Sequence, residues 1–328
     1  VDDNRFVADS LVYYQLNMTD HESPVVQLNN MVGRGITTWY LGLHVVASQS
    51  IQVSNNRIRA LGIENSQGIR LAPIVGESTT ASLVNNFIVA DGDSNQAGVT
   101  LYSLVAADLF YNSILVDGGQ SQQINAFSGA IFATNSDLSM LNTIAANKAG
   151  GGALYIDDFA NMNVSDYNNH FVTGSELFRV GDSTYTDLAS VRAASGLELN
   201  SLSVDPFFLS DTDLHLSRRS TLDNKGIPIA GISRDIDGQS RSATTPDIGA
   251  DEFSGRRVVV RRKGGLDLTL PPNPPRRDKI IVNGISNLLR NGYVLADLHI
   301  QLDTLLHPNV ADLDIYLSHN GIRDTLVY

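Results

Sequence analysis

Asparagine recurs in this chain behind one short alternating apolar stretch after another. It stands as Asn30 in VVQLNNMV, Asn56 in IQVSNNRI, Asn86 in ASLVNNFI, Asn112 in DLFYNSIL, Asn142 in LSMLNTIA and Asn168 in VSDYNNHF. The intervals are 26, 30, 26, 30 and 26 residues. A second series, Gly42, Gly68, Gly98, Gly129 and Gly152, opens the apolar strands LHVV, IRLA, VTLY, AIFA and ALYI. Each unit reads strand, Asn turn, strand, variable loop, Gly, strand. Apolar alternation over so few residues marks strands rather than helices. A unit this small cannot bury its own inner face, but stacked units can.

Stacking also explains the asparagine. One coil apart, each amide can donate to its neighbour on one side and accept from the other, so a buried polar corner is satisfied rather than costly. Asn also tolerates left-handed backbone at a sharp corner. The expected fold is therefore all-β: a right-handed parallel β-helix with an asparagine ladder at Asn30, Asn56, Asn86, Asn112, Asn142 and Asn168. A leucine-rich repeat requires an L-x-x-L-x-L frame that is not present.

Composition narrows the function. Of 328 residues, 42% are apolar and 18% charged, a globular balance. There is no cysteine, which excludes a disulfide scaffold, Cys-ligated zinc and thiol catalysis. The net charge of −12 argues against a nucleic-acid partner. No apolar run reaches the roughly 18 residues of a membrane span. The charge is uneven. Residues 254–279 hold eight basic residues against two acids (+6), leaving 15 basic against 33 acidic (−18) elsewhere. With Pro271, Pro272, Pro274 and Pro275, the stretch 254–277 reads as a basic, semi-rigid linker. It divides a β-helix at 1–253, with a closing segment at 200–253, from residues 278–328.

The closing segment carries Asp205-Pro206-Phe207, Asp213-Leu214-His215-Leu216, Asp235-Ile236-Asp237-Gly238, Arg241 and Pro246-Asp247-Ile248-Gly249-Ala250-Asp251-Glu252-Phe253. It resembles the end of bacterial right-handed parallel β-helix proteins of the pectate-lyase-like superfamily, in the group called choice-of-anchor Q domains. The resemblance implies a secreted or surface-attached bacterial protein. Residues 278–328, with the strands Leu298-Ile300-Leu302 and Asp312–Leu317, His307, and a turn at Ser318–Gly321, resemble the first half of a proprotein-convertase P domain. That β-sandwich needs roughly 100 residues, so the protein is expected to continue past Tyr328. Such modules accompany secreted proteins, including type IX secretion cargo of Bacteroidota. The start at Val1, with neither Met nor a signal peptide, fits a processed chain or a fragment.

Three sets of residues are candidates for chemistry. Asp91, Asp117 and Asn147 each lie five residues after a ladder asparagine and are expected to stack along one edge, with Asp93 and Lys148 beside them. Stacked carboxylates repel unless neutralised, which suits Ca2+, and Lys148 is the base a lyase would need. Ordinary surface turns explain the same DGD and VDGG sequences. His44, Arg70 and Thr100, each two residues after a glycine, share an outward register and with Tyr102 are candidates for a sugar-binding face, with a plain solvated strand face as the competing reading. Ile131 and Leu154 take the next places and interrupt the register. Asp235 and Asp237 open like a calcium loop but lack its distal Glu; a structural cap is the competing reading. The sequence thus favours a cell-surface, adhesin-like module that binds a glycan or partner, or a structural spacer. The alternative is a calcium-dependent polysaccharide lyase or glycoside hydrolase.

Overall fold

The computed structural model describes residues 4–8, 14–34, 39–61, 65–92, 95–118 and 128–253, and two further strands at 315–319 and 322–327. The chain divides into two units, Val1–Arg256 and Arg257–Tyr328. In the second, Ile315–His319 and Ile322–Val327 form an antiparallel pair. The expected linker, the expected strand Leu298-Ile300-Leu302 and His307 lie outside the described residues.

The first unit is a parallel β-solenoid of three sheets. Sheet A contains Val25–Gln27, Ser50–Ser54, Thr80–Val84, Ala106–Phe110, Leu138–Leu141 and Met162–Asp166. Sheet B contains Arg5–Ala8, Asn30–Arg34, Arg57–Leu61, Phe87–Asp91, Ser113–Asp117, Ile144–Asn147 and Asn169–Val172. Sheet C runs through Tyr14–His21, Trp39–Ala47, Asn65–Pro73, Gln96–Tyr102, Gly129–Thr134, Gly152–Ile156, Phe178–Val180 and Ser183–Tyr185. A coil passes from A through a two-residue corner to B, through a loop to C, and through a short turn to the next A.

Like residues stack on like inside. Val53, Leu83, Leu109 and Met140 form one column. Met31, Ile58, Ile88, Ile114 and Ala145 form a second. Leu43, Ile69, Val99, Ile131, Leu154 and Phe178 form the third. These side chains are buried, each contributing roughly 1–3 kcal/mol according to size.

The corner separates two roles that the sequence reading had combined. Leu28, Asn55, Asn85, Tyr111, Asn142 and Tyr167 adopt left-handed backbone, with φ of 52–56°. The residue after each one builds the ladder. Asn29 donates from its backbone N and Nδ2 to Asn56 Oδ1, each at 3.0 Å. Asn56 does the same to Asn86, and Asn86 to Asn112. The chain of bonds then continues from Asn112 to Thr143, Asn168 and Ser201. Asn56, Asn86, Asn112 and Asn168 thus stand where expected. Asn30 is replaced by Asn29, because Asn30 already belongs to sheet B. Asn142 is replaced by Thr143, because Asn142 turns outward and bonds residue 227.

The glycine series also shifts by one place. A Cβ on Gly42, Gly68 or Gly98 would meet Ile58, Ile88 or Ile114 Cγ2 at 2.5, 2.3 or 2.2 Å, so glycine is needed for close packing. The next place after Gly98 belongs to Ala130, not Gly129, and the facing column has by then become Ala145.

The end of the solenoid is closed by residues 183–202. Ser183–Tyr185 pairs antiparallel with Phe178–Val180 and stops the parallel stacking. A helix, Leu188–Ser195, follows. Asp187 caps its start by accepting from Ser190 N at 2.8 Å, and Gly196 in left-handed geometry ends it. Leu188 and Val191 cover the core. Beneath the cap, fully buried His170 Nε2 lies 3.1 Å from the Glu198 carboxylate. Ser165 and Ser201 also donate to the Glu198 carboxylate.

The closing segment, expected to cap the end, instead runs beside the outer face of sheet B. Leu214, Leu216, Leu222, Ile236, Ile248 and Ala250 pack on Phe87, Val89, Leu115, Ile144 and Ala146. This flank explains why those sheet B strands are apolar on both faces. Arg241 fixes it, donating to Asn85 Oδ1 at 2.8 Å and to the carbonyls of Gly249 and Ala250. The Arg241 guanidinium also lies 3.9 Å from the centre of the Tyr111 ring.

Candidate functional site

The outer face of sheet C carries an unbroken row. Strand register places Asn17, His44, Arg70, Thr100, Phe132, Tyr155 and Arg179 one above another. The interruption expected at Ile131 and Leu154 does not exist. Both point into the core, and Phe132 and Tyr155 take the outward places. Side chains alternate along a strand, so a one-residue slip exchanges the two faces.

At one end the Tyr14 and His44 rings stack at 5.3 Å, and Asn17 Oδ1 contacts His44 Nδ1 at 2.8 Å. Burial, then the nearby Arg70 charge, push His44 below its ordinary value, so it is neutral near pH 7. The Arg70 guanidinium sits 4.9 Å from the centre of the Tyr102 ring. The buried atoms Arg70 Nε and Thr100 Oγ1 have no hydrogen-bond partner among the described residues. Further along, Phe132 and Tyr155 stack at 4.4 Å, only 17° from parallel. Arg179 lies 5.1 Å from the Tyr155 ring and is held at 2.7 Å by Glu176. Burial pushes the Tyr155 hydroxyl up to about 12, and it accepts from Gly152 N at 3.1 Å. The face therefore offers flat aromatic surface, guanidinium donors and a neutral imidazole. No carboxylate stands in the row.

The second candidate edge assembles differently from expectation. Asp91 and Asp117 are register partners. Asn147 is not in their stack: it pairs with Val116, is fully buried, and bonds Ser128 and the Gly152 carbonyl. Lys148 takes its place, with its N–H bonded to the Val116 carbonyl and its Nζ 2.7 Å from Asp211. Asp211, from the tip of the flank hairpin Phe208–Ser210 and Asp213–Leu216, carries no repeat signal and was missed. Burial, then Asp211, raise Asp117 above the usual carboxylate range, while Lys148 opposes them. Asp93 lies outside the described residues.

Asp235 is a loop clamp. Its Oδ1 accepts from Asp237 N and Gln239 N, and its Oδ2 from Glu252 N. Asp237 faces outward to Arg57 and His215. There the flank and sheet B enclose a cleft of about 440 Å³, lined by Val32, Arg57, Phe87, Asp213 and His215 among others.

Fold and row together define a parallel β-helix protein with an aromatic and basic face along its axis. No family model, curated protein or solved structure matches the chain.

Proposed function

We propose that this chain is a glycan-binding module of a secreted or cell-surface bacterial protein, with the outer face of sheet C as its binding surface. The carrying observation is the continuous row from Asn17 to Arg179. At roughly 4.8 Å per coil its seven positions span about 29 Å, which suits an extended polysaccharide lying along the axis. Phe132, Tyr155 and Tyr102 supply rings for pyranose faces, and Arg70 supplies a charge that favours an acidic sugar. Glu176, the carboxylate that borders the row at Arg179, is tied up in an ion pair, and glycoside hydrolysis uses a carboxylate pair, so the row favours binding over hydrolysis. The closing-segment motifs support placement in the choice-of-anchor Q group of pectate-lyase-like proteins. The strand and turn sequences of 278–328 support a P-domain-like accessory module behind a basic linker.

The test is retention of the purified chain on immobilised acidic and neutral polysaccharides. Retention on an acidic glycan that falls at least tenfold in Arg70→Ala and Tyr155→Ala supports the reading. Retention unchanged in both variants, or none on any glycan, overturns it. Absorbance of unsaturated uronate is followed in the same samples, with calcium and with chelator. Product formation would transfer the function to a lyase, with Asp91, Asp117 and Lys148 as the residues to vary.

A further inference from the structure

We propose that His215, Asp237 and Asp251 form a binding site for a first-row divalent metal ion, with Zn2+ as the representative ion, that staples the flank together. One donor atom from each lies within 4.8 Å of the others, the only such group of three among the described residues. The three come from separate stretches of the flank: the strand Asp213–Leu216, the turn after Asp235, and the segment leading to Phe253. That flank has one short hairpin and is otherwise turns and loop. A segment so poor in regular structure gains most from a cross-link.

The surroundings suit a cation. His215 Nδ1 is engaged by the Asp213 carboxylate, which orients the ring and directs Nε2 towards Asp237, 2.7 Å away. A carboxylate behind a ligating imidazole is the usual support for such a ligand. Asp251 is buried, and its Oδ2 accepts from Leu216 N at 2.8 Å. Asp237 presents its other oxygen to Arg57, so the site is also tied to the solenoid. Phe87 packs edge-on against His215 at 4.9 Å and shields one side. Asp213, Asp235, Asp237 and Asp251 gather around the imidazole, with Arg57 paired to Asp237 and Arg241 close to Asp235. One nitrogen and two oxygen donors suit zinc, manganese or nickel better than calcium, which prefers oxygen alone. His215 also lines the cleft, which gives an ion a route in and room for water to complete its coordination.

The experiment uses the full chain, stripped with EDTA and titrated with ZnCl2 by calorimetry, with thermal unfolding in parallel. One saturable Zn2+ per chain with a raised Tm is expected, both lost in His215→Ala and Asp251→Asn and both kept in His21→Ala, a change at an exposed histidine outside both sites. Asp213→Asn leaves all three donors in place and should weaken binding about 10- to 100-fold. Limited proteolysis of metal-free variants against metal-free wild type separates lost ligation from a lost fold. Absence of stoichiometric binding overturns the proposal. So does binding that survives in a folded His215→Ala chain, or an Asp213→Asn affinity equal to wild type.

Discussion

Replacing Asn112 by alanine should cost about 4 kcal/mol. Asn112 is fully buried and makes four hydrogen bonds through its side chain. Its Oδ1 accepts from Asn86 N at 3.1 Å and Asn86 Nδ2 at 2.9 Å. Its Nδ2 donates to the Leu83 carbonyl at 2.8 Å and the Phe110 carbonyl at 3.3 Å. At about 1 kcal/mol net per bond the loss sums to the stated value. Two groups escape the worst of it: Asn86 Nδ2 keeps the Val53 carbonyl, and the Phe110 carbonyl keeps Asn85 N. The protein also contains the control. Thr143 fills the same ladder place, accepting from Asn112 N at 3.3 Å and donating to the Leu109 carbonyl at 3.0 Å. Asn112→Thr should therefore retain one acceptor and one donor and cost only about 1–2 kcal/mol. Urea unfolding followed by fluorescence of the single tryptophan, Trp39 in sheet C, measures both. An Asn112→Ala chain within about 1 kcal/mol of wild type would refute the ladder as a stabilising device. So would a threonine variant no better than the alanine one.

Gly98→Ala places a Cβ 2.2 Å from Ile114 Cγ2 and 2.6 Å from the Ala130 carbonyl, and should cost about 1–3 kcal/mol in urea unfolding. Combined with Ile114→Ala, the total should fall below the sum of the single changes. Arg241→Ala should release the flank, exposing residues 217–247 to limited proteolysis, and Arg241→Lys should not restore protection, because the planar fork serves several acceptors at once. Two opposite pH dependences follow from buried acids. Burial alone would raise Glu198, but His170, Ser165 and Ser201 outweigh it and hold it below its ordinary value. Its stabilisation is present above the unfolded value of about 4.3 and lost as pH falls through the lower folded value, so the cap helix should open first in acid. Burial raises Asp247 to about 8, so folding retains a proton that the unfolded chain has released. Flank stability should therefore decline from about pH 4 up to about pH 8. Hydrogen exchange of Val191 below about pH 4, and of Ile248 between about pH 4 and pH 8, reads the two separately. A Val191 amide that gains protection on acidification, or an Ile248 amide that gains protection as pH rises, after correction for intrinsic exchange, would contradict the assignment.

The solenoid was legible because its two signals, a repeat and strand alternation, are local. What failed was registration. Asn29-Asn30, Asn55-Asn56 and Asn85-Asn86 are doublets, in which one position is suited to the corner or strand and the other builds the ladder. Nothing in the letters says which asparagine is which. At Asn142-Thr143 the residue types changed roles, so counting asparagines slipped by one. The same slip recurred at Gly129 against Ala130, where it exchanged inward Ile131 for outward Phe132 and hid half of the aromatic face. The flank was legible as a motif but not as a location. Arg241 meets Asn85 across 156 residues, and no period connects them.

The flank also acts as a gauge. Arg57 meets Asp237, Asn85 meets Arg241, Ser113 meets Ala250 and Asn142 meets residue 227, so one stretch of chain touches four successive coils at fixed places. A bare solenoid can gain or lose a coil in evolution with little penalty, since each coil needs only its neighbours. Here an added coil between Arg57 and Asn142 would move some of these points about 4.8 Å out of step with the rest. The length of the structure, and with it the length of the row on sheet C, is thus held by a segment that belongs to none of the repeats.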